Sequence, residues 1–281
     1  MNNFWTRIFS GAGLIAGTIT LFYLGNWGLL AFTILVSLGG NFEWFKLRKM
    51  RFNWGWKVSS AASVLSLIFI HFGQFNWAVY VGIGIFIYSI YLAKDHHRSA
   101  ISLFGAQIYL TLPLSLLLTL PYCNPKVEIQ NSQEYYNFLI PTVVMALVWS
   151  SDSWAYVTGK LLGKNKLAPS ISPGKTWEGF LGGTLLTGAT AYILQLYLLT
   201  PGASRFSSEL SHQLSDPSKA IIIGILVSIF GTMGDLFESS LKRKVNVKDS
   251  GNVIPGHGGV LDRYDAFLFA IVVFTIVYRF L

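Results

Sequence analysis

Charged residues are scarce in this chain. Only 12% of its 281 residues are Asp, Glu, Lys or Arg, whereas 52% are hydrophobic. A typical soluble domain has about 25% charged residues. This small fraction of charged residues cannot cover the surface of a globule in water. The composition therefore excludes an ordinary soluble protein and predicts a surface that faces lipid.

Cysteine is also nearly absent. The single Cys123 excludes a disulfide within the chain and any metal cluster built from several cysteines. No Cys–His pattern surrounds it, so we interpret Cys123 as a small apolar residue near a loop.

Long apolar runs occupy most of the sequence. A helix needs about 20 mostly apolar residues to cross the hydrocarbon core of a bilayer. Nine such windows lie at 7–24, 27–45, 58–72, 75–92, 101–120, 138–158, 180–199, 220–236 and 264–280. They predict an all-α, polytopic integral membrane protein with about nine transmembrane helices and no soluble domain. The third window is short and the sixth and eighth contain acids, so eight or ten spans stay open.

Lys and Arg are distributed unevenly over this topology. With nine spans and a cytoplasmic N-terminus, all but four of the 21 Lys and Arg residues lie on the inner side. The four on the outer side are Lys126, Arg205, Lys219 and Arg279. Cytoplasmic loops are enriched in Lys and Arg. We therefore predict that the protein lies in the cell membrane with its N-terminus on the cytoplasmic side. Basic loops attract anionic lipid, which accounts for the net charge of +8 without nucleic acid as a partner.

Acidic residues are concentrated in the C-terminal half. Every one of the 13 Asp and Glu residues except Glu43 and Asp95 lies beyond residue 127. Ionisable groups in or beside spans are costly, so they normally line a cavity, pair, or bind ions. We therefore predict a transmembrane scaffold over residues 1–137 and a catalytic region over residues 138–281, both within one membrane domain.

Two segments of this half place polar side chains beside predicted spans. Asp152 lies among serines in the sixth window, where it could bind substrate or be a hydrogen-bonded structural carboxylate. Residues 172–176 read Ser-Pro-Gly-Lys-Thr and lack the spacing and the preceding strand of a P-loop. Ser172, Lys175 and Thr176 at a Pro-Gly turn before the seventh span predict a phosphate site, because a helix N-terminus offers free N–H groups. An ordinary helix cap is the alternative.

A third polar segment extends over residues 234–265. If the eighth helix continues through its basic end, four side chains share one face: those of Asp235, Glu238, Ser239 and Lys242. Asp262 and Asp265 repeat the acidic spacing at the ninth span. Carboxylate oxygens are ligands that Mg²⁺ prefers, and ammonium groups neutralise phosphate.

The glycines at residues 255–259 allow main-chain N–H groups to converge on an anion. We predict that Asp235 and Asp262 jointly hold Mg²⁺, and the alternative is plain salt bridges with Lys242 and Arg263.

Residues 239–265 resemble the signature of the phosphatidate cytidylyltransferase (CDP-diacylglycerol synthase) family. The matching stretches are Ser239-x-Leu241-Lys242-Arg243, Lys248-Asp249-x-Gly251 and Ile254-Pro255-x-His257-Gly258-Gly259-Val260-x-Asp262-Arg263-Tyr264-Asp265. Two upstream stretches are similar to the family's middle motifs: Asp152-Ser153 with Ala155-Tyr156, and Ser172-Pro173-Gly174-Lys175-Thr176 with Glu178-Gly179. Trp154 is bulkier than the family pattern. The resemblance covers roughly residues 150–265, and the N-terminal half is similar only in being hydrophobic and polytopic.

The resemblance implies transfer of the cytidylyl group of CTP to phosphatidate, on the cytoplasmic face of the membrane. Mg²⁺ is the implied cofactor, and a second cation could accompany it. The implied catalytic residues are Lys242, Asp249 and Asp265, and the implied metal ligands are Asp235 and Asp262. The implied substrate contacts are Asp152, Ser172, Lys175, Thr176, Ser239, Arg243, Lys248, His257 and Arg263.

Two other functions stay open at this point. A CTP-dependent lipid-alcohol kinase would release CDP instead of pyrophosphate. An ion-coupled transporter would carry its acids near the midplane of the bilayer. Membrane lipid is an expected partner in each case, and the chain could form a homodimer.

Overall fold

A computed structural model describes residues 3–48, 55–120, 133–198 and 216–280 of the chain. The described residues form nine α-helices, one π-helical turn and a two-stranded sheet. The helices are α1 Asn3–Tyr23, α2 Gly25–Leu47, α3 Gly55–His71, α4 Phe75–Ala106, α5 Leu112–Thr119, α6 Gln133–Leu162, α7 Trp177–Leu198, α8 Pro217–Lys244 and α9 Leu261–Phe280. The strands are β1 Lys166–Ala168 and β2 Ser172–Thr176. The predicted all-α class is confirmed, with this short hairpin as an addition.

Among the described residues, four helical segments are long and apolar enough to cross a membrane. They are Gly25–Leu47, Phe75–Leu92, Arg98–Thr119 and Pro217–Lys244. Large apolar side chains such as Trp27, Tyr80 and Leu185 are exposed, as lipid-facing residues are. These helices support a membrane protein, whereas the number of nine spans and their orientation stay predictions.

The loop that we predicted between the fourth and fifth windows is instead helical. Helix α4 continues through residues 93–100, and the π-helical turn Gln107–Thr111 joins it to α5. Residues 93–100 are charged but contain neither Gly nor Pro, so nothing in them interrupts a helix.

The chain divides into two compact units. Unit 1 comprises Met1–Leu120 and Leu241–Tyr264, and unit 2 comprises Pro121–Ser240 and Asp265–Leu281. The assignment of residues 1–137 to scaffold and of residues 138–281 to catalysis concerns function and stays a prediction.

The core of unit 1 combines leucines with a cluster of buried polar side chains. Leu67, Leu103 and Leu114 are wholly buried. Beside them, Ser59 Oγ donates a hydrogen bond to Asn41 Oδ1 at 2.6 Å, which joins helices α2 and α3. Such bonds satisfy polar groups that are removed from water.

Unit 2 is built on the close pairing of α6 and α7. A Cβ atom added at Gly179 would lie 2.8 Å from the carbonyl oxygen of Ala155, and one added at Gly183 would lie 2.9 Å from the Cβ of Ala155. Small residues allow the main chains of two helices to approach this closely. Gly179 and Gly183 thus allow α6 and α7 to pack main chain against main chain.

Candidate active site

The segment around Lys175 forms a hairpin with an irregular second strand. Strand β1 pairs antiparallel with β2, with Lys166 opposite Thr176 and Ala168 opposite Ser172. Between these pairs lie one residue of β1 and three of β2, so β2 bulges at residues 173–175. The predicted turn at Pro173-Gly174 is therefore wrong, because the chain turns at residues 169–171. A bulge tolerates proline, since it leaves a residue outside the ladder of hydrogen bonds.

Helix α7 begins directly after this hairpin and is capped by Thr176. The Thr176 hydroxyl accepts a hydrogen bond from the N–H of Gly179 at 3.1 Å, which is the bond of an N-cap residue. The carboxylate of Glu178 accepts hydrogen bonds from the N–H of Lys164 at 3.1 Å and from Asn165 Nδ2 at 2.7 Å. Main-chain hydrogen bonds, from Glu178 itself and from Lys164, lower the pKa of Glu178 to about 2. The acid thus fastens the hairpin to the first turn of α7.

A cavity of about 390 Å³ lies between the hairpin and the helices of unit 2. We call it the α6–α7 cavity. Its lining includes Asp152, Tyr156, Ser172, Lys175, Thr176 and Thr232. Four predicted substrate contacts, Asp152, Ser172, Lys175 and Thr176, therefore meet in one place, with an ammonium group and hydroxyls suited to phosphate.

Three carboxyl groups of unit 2 form an acidic cluster, which consists of Asp235, Glu238 and Asp265. Asp265 interacts electrostatically with the other two acids, and Glu238 is wholly buried. Lys175 Nζ lies 2.5 Å from Asp235 Oδ2, and Ser239 Oγ donates to Asp235 Oδ1 at 3.1 Å. The predicted helix face of Asp235 and Ser239 is thus present, and Lys175 links it to the α6–α7 cavity.

Oxygen donors of this kind fit Mg²⁺. Within the described parts of the chain, however, no three Asp, Glu, His or Cys side chains are already grouped as a metal site. Binding of Mg²⁺ by the acidic cluster therefore stays a prediction, and the observed partner of Asp235 is the positive charge of Lys175.

The signature loop, residues 245–260 between α8 and α9, surrounds a second cavity, of about 560 Å³, in unit 1. Its lining brings together four predicted residues, Lys248, Asp249, His257 and Arg263, with Arg7 of helix α1. Ser10, also on α1, places its Oγ 2.7 Å from Nδ1 of His257. The signature-loop cavity is thus strongly basic, as an anion site is.

Asp262 holds the signature loop together through both carboxylate oxygens. Oδ1 accepts a hydrogen bond from Lys242 Nζ at 2.6 Å, and Oδ2 accepts from the N–H groups of Ser250 at 2.8 Å and Gly259 at 2.7 Å. Burial raises the pKa of Asp262, but the bonds from Lys242 and Gly259 outweigh it and lower the pKa below its usual value. A Cβ atom at Gly258, whose φ is 84°, would meet Asp262 as well. This is the ion pair that we considered as the alternative, and ligation of Mg²⁺ by Asp262 stays a prediction.

The predicted site residues fall into one set in each unit. Unit 2 holds Asp152, Ser172, Lys175, Thr176, Asp235, Ser239 and Asp265, and unit 1 holds Lys242, Arg243, Lys248, Asp249, His257, Asp262 and Arg263. Arg243 uses Nη1 to donate to the carbonyl oxygen of Val247 at 3.2 Å. Because Asp235 and Asp262 belong to different units, their joint ligation of one ion stays a prediction.

Two residues of the N-terminal half were missed as part of the site. They are Arg7 and Glu43, for which the sequence predicts a basic loop residue and an exception to the acidic C-terminal half. Glu43 is wholly buried and accepts hydrogen bonds from Ser250, Val260 and Leu261. The signal that could have identified Glu43 is its isolation, as the only acid in the first 94 residues, within an apolar window.

The sequence as a whole is similar to known proteins. The family model described as the cytidylyltransferase family matches residues 5–281. A phosphatidate cytidylyltransferase of Bacillus subtilis (strain 168) is 34% identical over 276 residues, which are 92% of this chain and 91% of that protein. One of Brucella abortus (strain 2308) is 31% identical over 280 residues, 96% of this chain and 91% of that protein. One of Staphylococcus epidermidis (strain ATCC 12228 / FDA PCI 1200) is 42% identical over 125 residues, 44% of this chain and 43% of that protein.

Proposed function

This chain belongs to the cytidylyltransferase family, and from that premise we propose that it transfers the cytidylyl group of CTP to phosphatidate, giving CDP-diacylglycerol and pyrophosphate. The similarity of nearly the whole chain to phosphatidate cytidylyltransferases carries the proposal. The two cavities supply what the reaction needs, because each gathers groups that can hold phosphate.

In the proposed reaction, a phosphate oxygen of phosphatidate attacks the α-phosphorus of CTP. The bond from the α-phosphorus to its bridging oxygen breaks, and pyrophosphate leaves with that oxygen. The attacking phosphate is already an anion at neutral pH, so no general base is needed. The protein then contributes positioning and stabilisation of charge. His257, which is hydrogen-bonded to Ser10, acts as a phosphate donor or organiser of the loop and not as an obligatory base.

We place CTP in the α6–α7 cavity. Ser172 and Lys175 contact its phosphates, and the Thr176 hydroxyl, which lies in the same lining, can donate to them while it accepts from the N–H of Gly179. Tyr156 offers a ring for the cytosine base, and Asp152 is an acceptor suited to the exocyclic amino group of cytosine.

We propose Mg²⁺ as the cofactor, held by the acidic cluster. Mg²⁺ prefers carboxylate oxygens and binds nucleotide phosphates at the same time. When bound, the ion would neutralise charge on the phosphates of CTP. A second cation belongs to the same proposal.

We place the phosphate of phosphatidate in the signature-loop cavity. Arg7, Lys248 and Arg263 bring positive charge to it. Helix α1, which carries Arg7, also exposes large apolar side chains, among them Ile8, Phe9 and Ile15. A cationic cavity beside an exposed apolar helix suits an anion with acyl chains better than a free nucleotide.

Arg7→Gln is therefore expected to raise the KM for phosphatidate roughly tenfold, the effect of losing one charge-assisted hydrogen bond. The KM for CTP should stay unchanged. Kinetics in mixed micelles, with phosphatidate and CTP varied separately, measure both constants. Lys46→Gln, which removes an exposed charge on α2, is the matched control. An equal rise in both constants, or no rise, would contradict the placement of phosphatidate.

The reaction is tested with purified protein in detergent, phosphatidate, labelled CTP and Mg²⁺. We expect CDP-diacylglycerol and one pyrophosphate for each lipid product. The same assay is repeated with a lipid alcohol in place of phosphatidate, where release of CDP and a phosphorylated lipid would identify a kinase instead. If neither phosphatidate nor the lipid alcohol is converted, the ion-coupled transporter is the remaining alternative.

We also propose nine spans, a cytoplasmic N-terminus, and an active site on the cytoplasmic face of the cell membrane. In a Cys123→Ser background, cysteines at Lys94, Lys164 and Lys248 should react with an impermeant reagent only in inside-out vesicles. Lys94 is the decisive position because it lies within α4. Reaction of Lys94→Cys and Lys248→Cys on opposite sides would rule out this topology. Cross-linking in the same membranes tests the proposed homodimer.

A further inference from the structure

Glu43 is an unusual residue in its surroundings. It lies on helix α2, it is the only acid among the first 94 residues, and it is wholly buried. An ionisable group removed from water is costly unless all of its oxygens are paired. The burial of Glu43 must therefore be offset by hydrogen bonds to its carboxyl oxygens.

The hydrogen bonds of the Glu43 side chain connect it to the signature loop and to the first residue of α9. Oε1 accepts from the N–H of Val260 at 2.9 Å. Oε2 accepts from the N–H of Leu261 at 2.9 Å and from Ser250 Oγ at 2.8 Å. Both carboxyl oxygens of Glu43 therefore face hydrogen-bond donors of this segment.

Two glycines of the loop are folded directly against this carboxylate. A Cβ atom at Gly251 would collide with Oε1 of Glu43, and one at Gly259 would collide with Oε2. Neither glycine has a positive φ. The close approach to Glu43 therefore requires glycine at these two positions, and backbone conformation does not.

We propose that Glu43 is a positioning residue for the reaction. It holds both ends of the segment 250–261, so that the side chains of Lys248, Asp249 and His257 converge on the signature-loop cavity. The inference rests on the proposed function, because that cavity is where we place the phosphate of phosphatidate. Helix α2, which lies in the predicted scaffold, then takes part in catalysis through the loop.

The first test is Glu43→Gln. The side-chain amide would turn an N–H donor towards the N–H of Val260 or Leu261, so at least one of these bonds is lost. We expect kcat/KM for phosphatidate to fall roughly a hundredfold, the effect of a small displacement of reacting groups. The KM for CTP should change less than twofold. Amide hydrogen exchange of Val260 and Leu261 should become at least tenfold faster.

Asn41→Ala is the matched control. Asn41 is buried on the same helix and bonds to Ser37 and Ser59, which lie outside the loop. It should lower thermal stability about as much as Glu43→Gln and leave exchange at Val260 and Leu261 unchanged. Equal loss of kcat/KM in the two variants would show a general structural role and overturn the proposal.

A second test remains informative if Glu43→Gln does not fold. Gly251→Ala places a methyl group against Oε1 of Glu43, and we expect it to reduce activity. In the double variant with Glu43→Asp, the shorter acid leaves room for the methyl group, so at least a third of the lost activity should return. Absence of rescue would overturn the proposal. Hydrogen exchange separates this failure from failure of the proposed function, because it reports on the loop whichever reaction is catalysed.

Discussion

Replacing Asp235 with asparagine is expected to lower kcat by about a thousandfold, the scale on which electrostatic stabilisation acts in active sites. Asparagine keeps the shape of the side chain and removes the charge that faces Lys175 at 2.5 Å. It also removes a carboxylate from the acidic cluster, so half-maximal activity should need a higher concentration of Mg²⁺. Because the side chain is partly exposed, the variant should fold normally.

Steady-state kinetics over a Mg²⁺ titration measure this effect. Asp216→Asn is the control, since Asp216 is an exposed acid at the start of the same helix and bonds to Ser218. Asp235→Asn combined with Lys175→Gln distinguishes a plain salt bridge from a phosphate site. Near-normal activity of the double variant would make the pair structural, whereas an activity below either single variant would support contact of Lys175 with phosphate.

Asp262→Asn is expected to lower the free energy of unfolding by about 3–5 kcal/mol, the cost of leaving a buried charge without its partner. Lys242 and Asp262 expose only 9% and 4% of their side chains, so water cannot replace the lost charge. The new amide would also oppose the N–H groups of Ser250 and Gly259. Denaturant unfolding in detergent measures the loss.

Asp249→Asn, at an exposed acid of the same loop, should change stability by less than about 0.5 kcal/mol. If Asp262→Asn is equally harmless and instead changes the Mg²⁺ requirement, Asp262 is a metal ligand and not the centre of the loop. The lowered pKa gives an independent check, because the stabilisation should be full above the ordinary pKa of 3.8 and lost as the pH falls through the lowered pKa.

The helices could be predicted because the bilayer imposes a length and an apolar composition on them. The hairpin could not, since Lys166–Ala168 and Ser172–Thr176 are too short and too polar to show an alternating pattern. The loop predicted at residues 93–100 is helical for a different reason. A run of charged residues is typical of a loop beside a span, but the residues at 93–100 also have adequate helix propensity.

The residue sets of the two cavities could be predicted because each lies in a short motif. The residues from distant parts of the sequence that contact these motifs could not be predicted. Glu43 and Leu261 are far apart in the sequence, and so are Ser10 and His257, so no local spacing connects either pair. Thr176 shows the same limit, because a hydroxyl before a helix suits a phosphate contact and an N-cap equally well until the bond to Gly179 is known.

The close packing of the α6 and α7 main chains also limits which residues of the α6–α7 cavity can be substituted. Gly159 and Gly179 line the α6–α7 cavity, and each would place an added Cβ against the other helix or the hairpin. That wall is backbone, which a point substitution cannot reshape without separating the helices. In a library of all single substitutions, we expect Gly159 and Gly179 to reject nearly every replacement, whereas Tyr156, an exposed residue of the same lining, tolerates many. Laboratory evolution towards another nucleotide would then have to begin at Tyr156 and its neighbours.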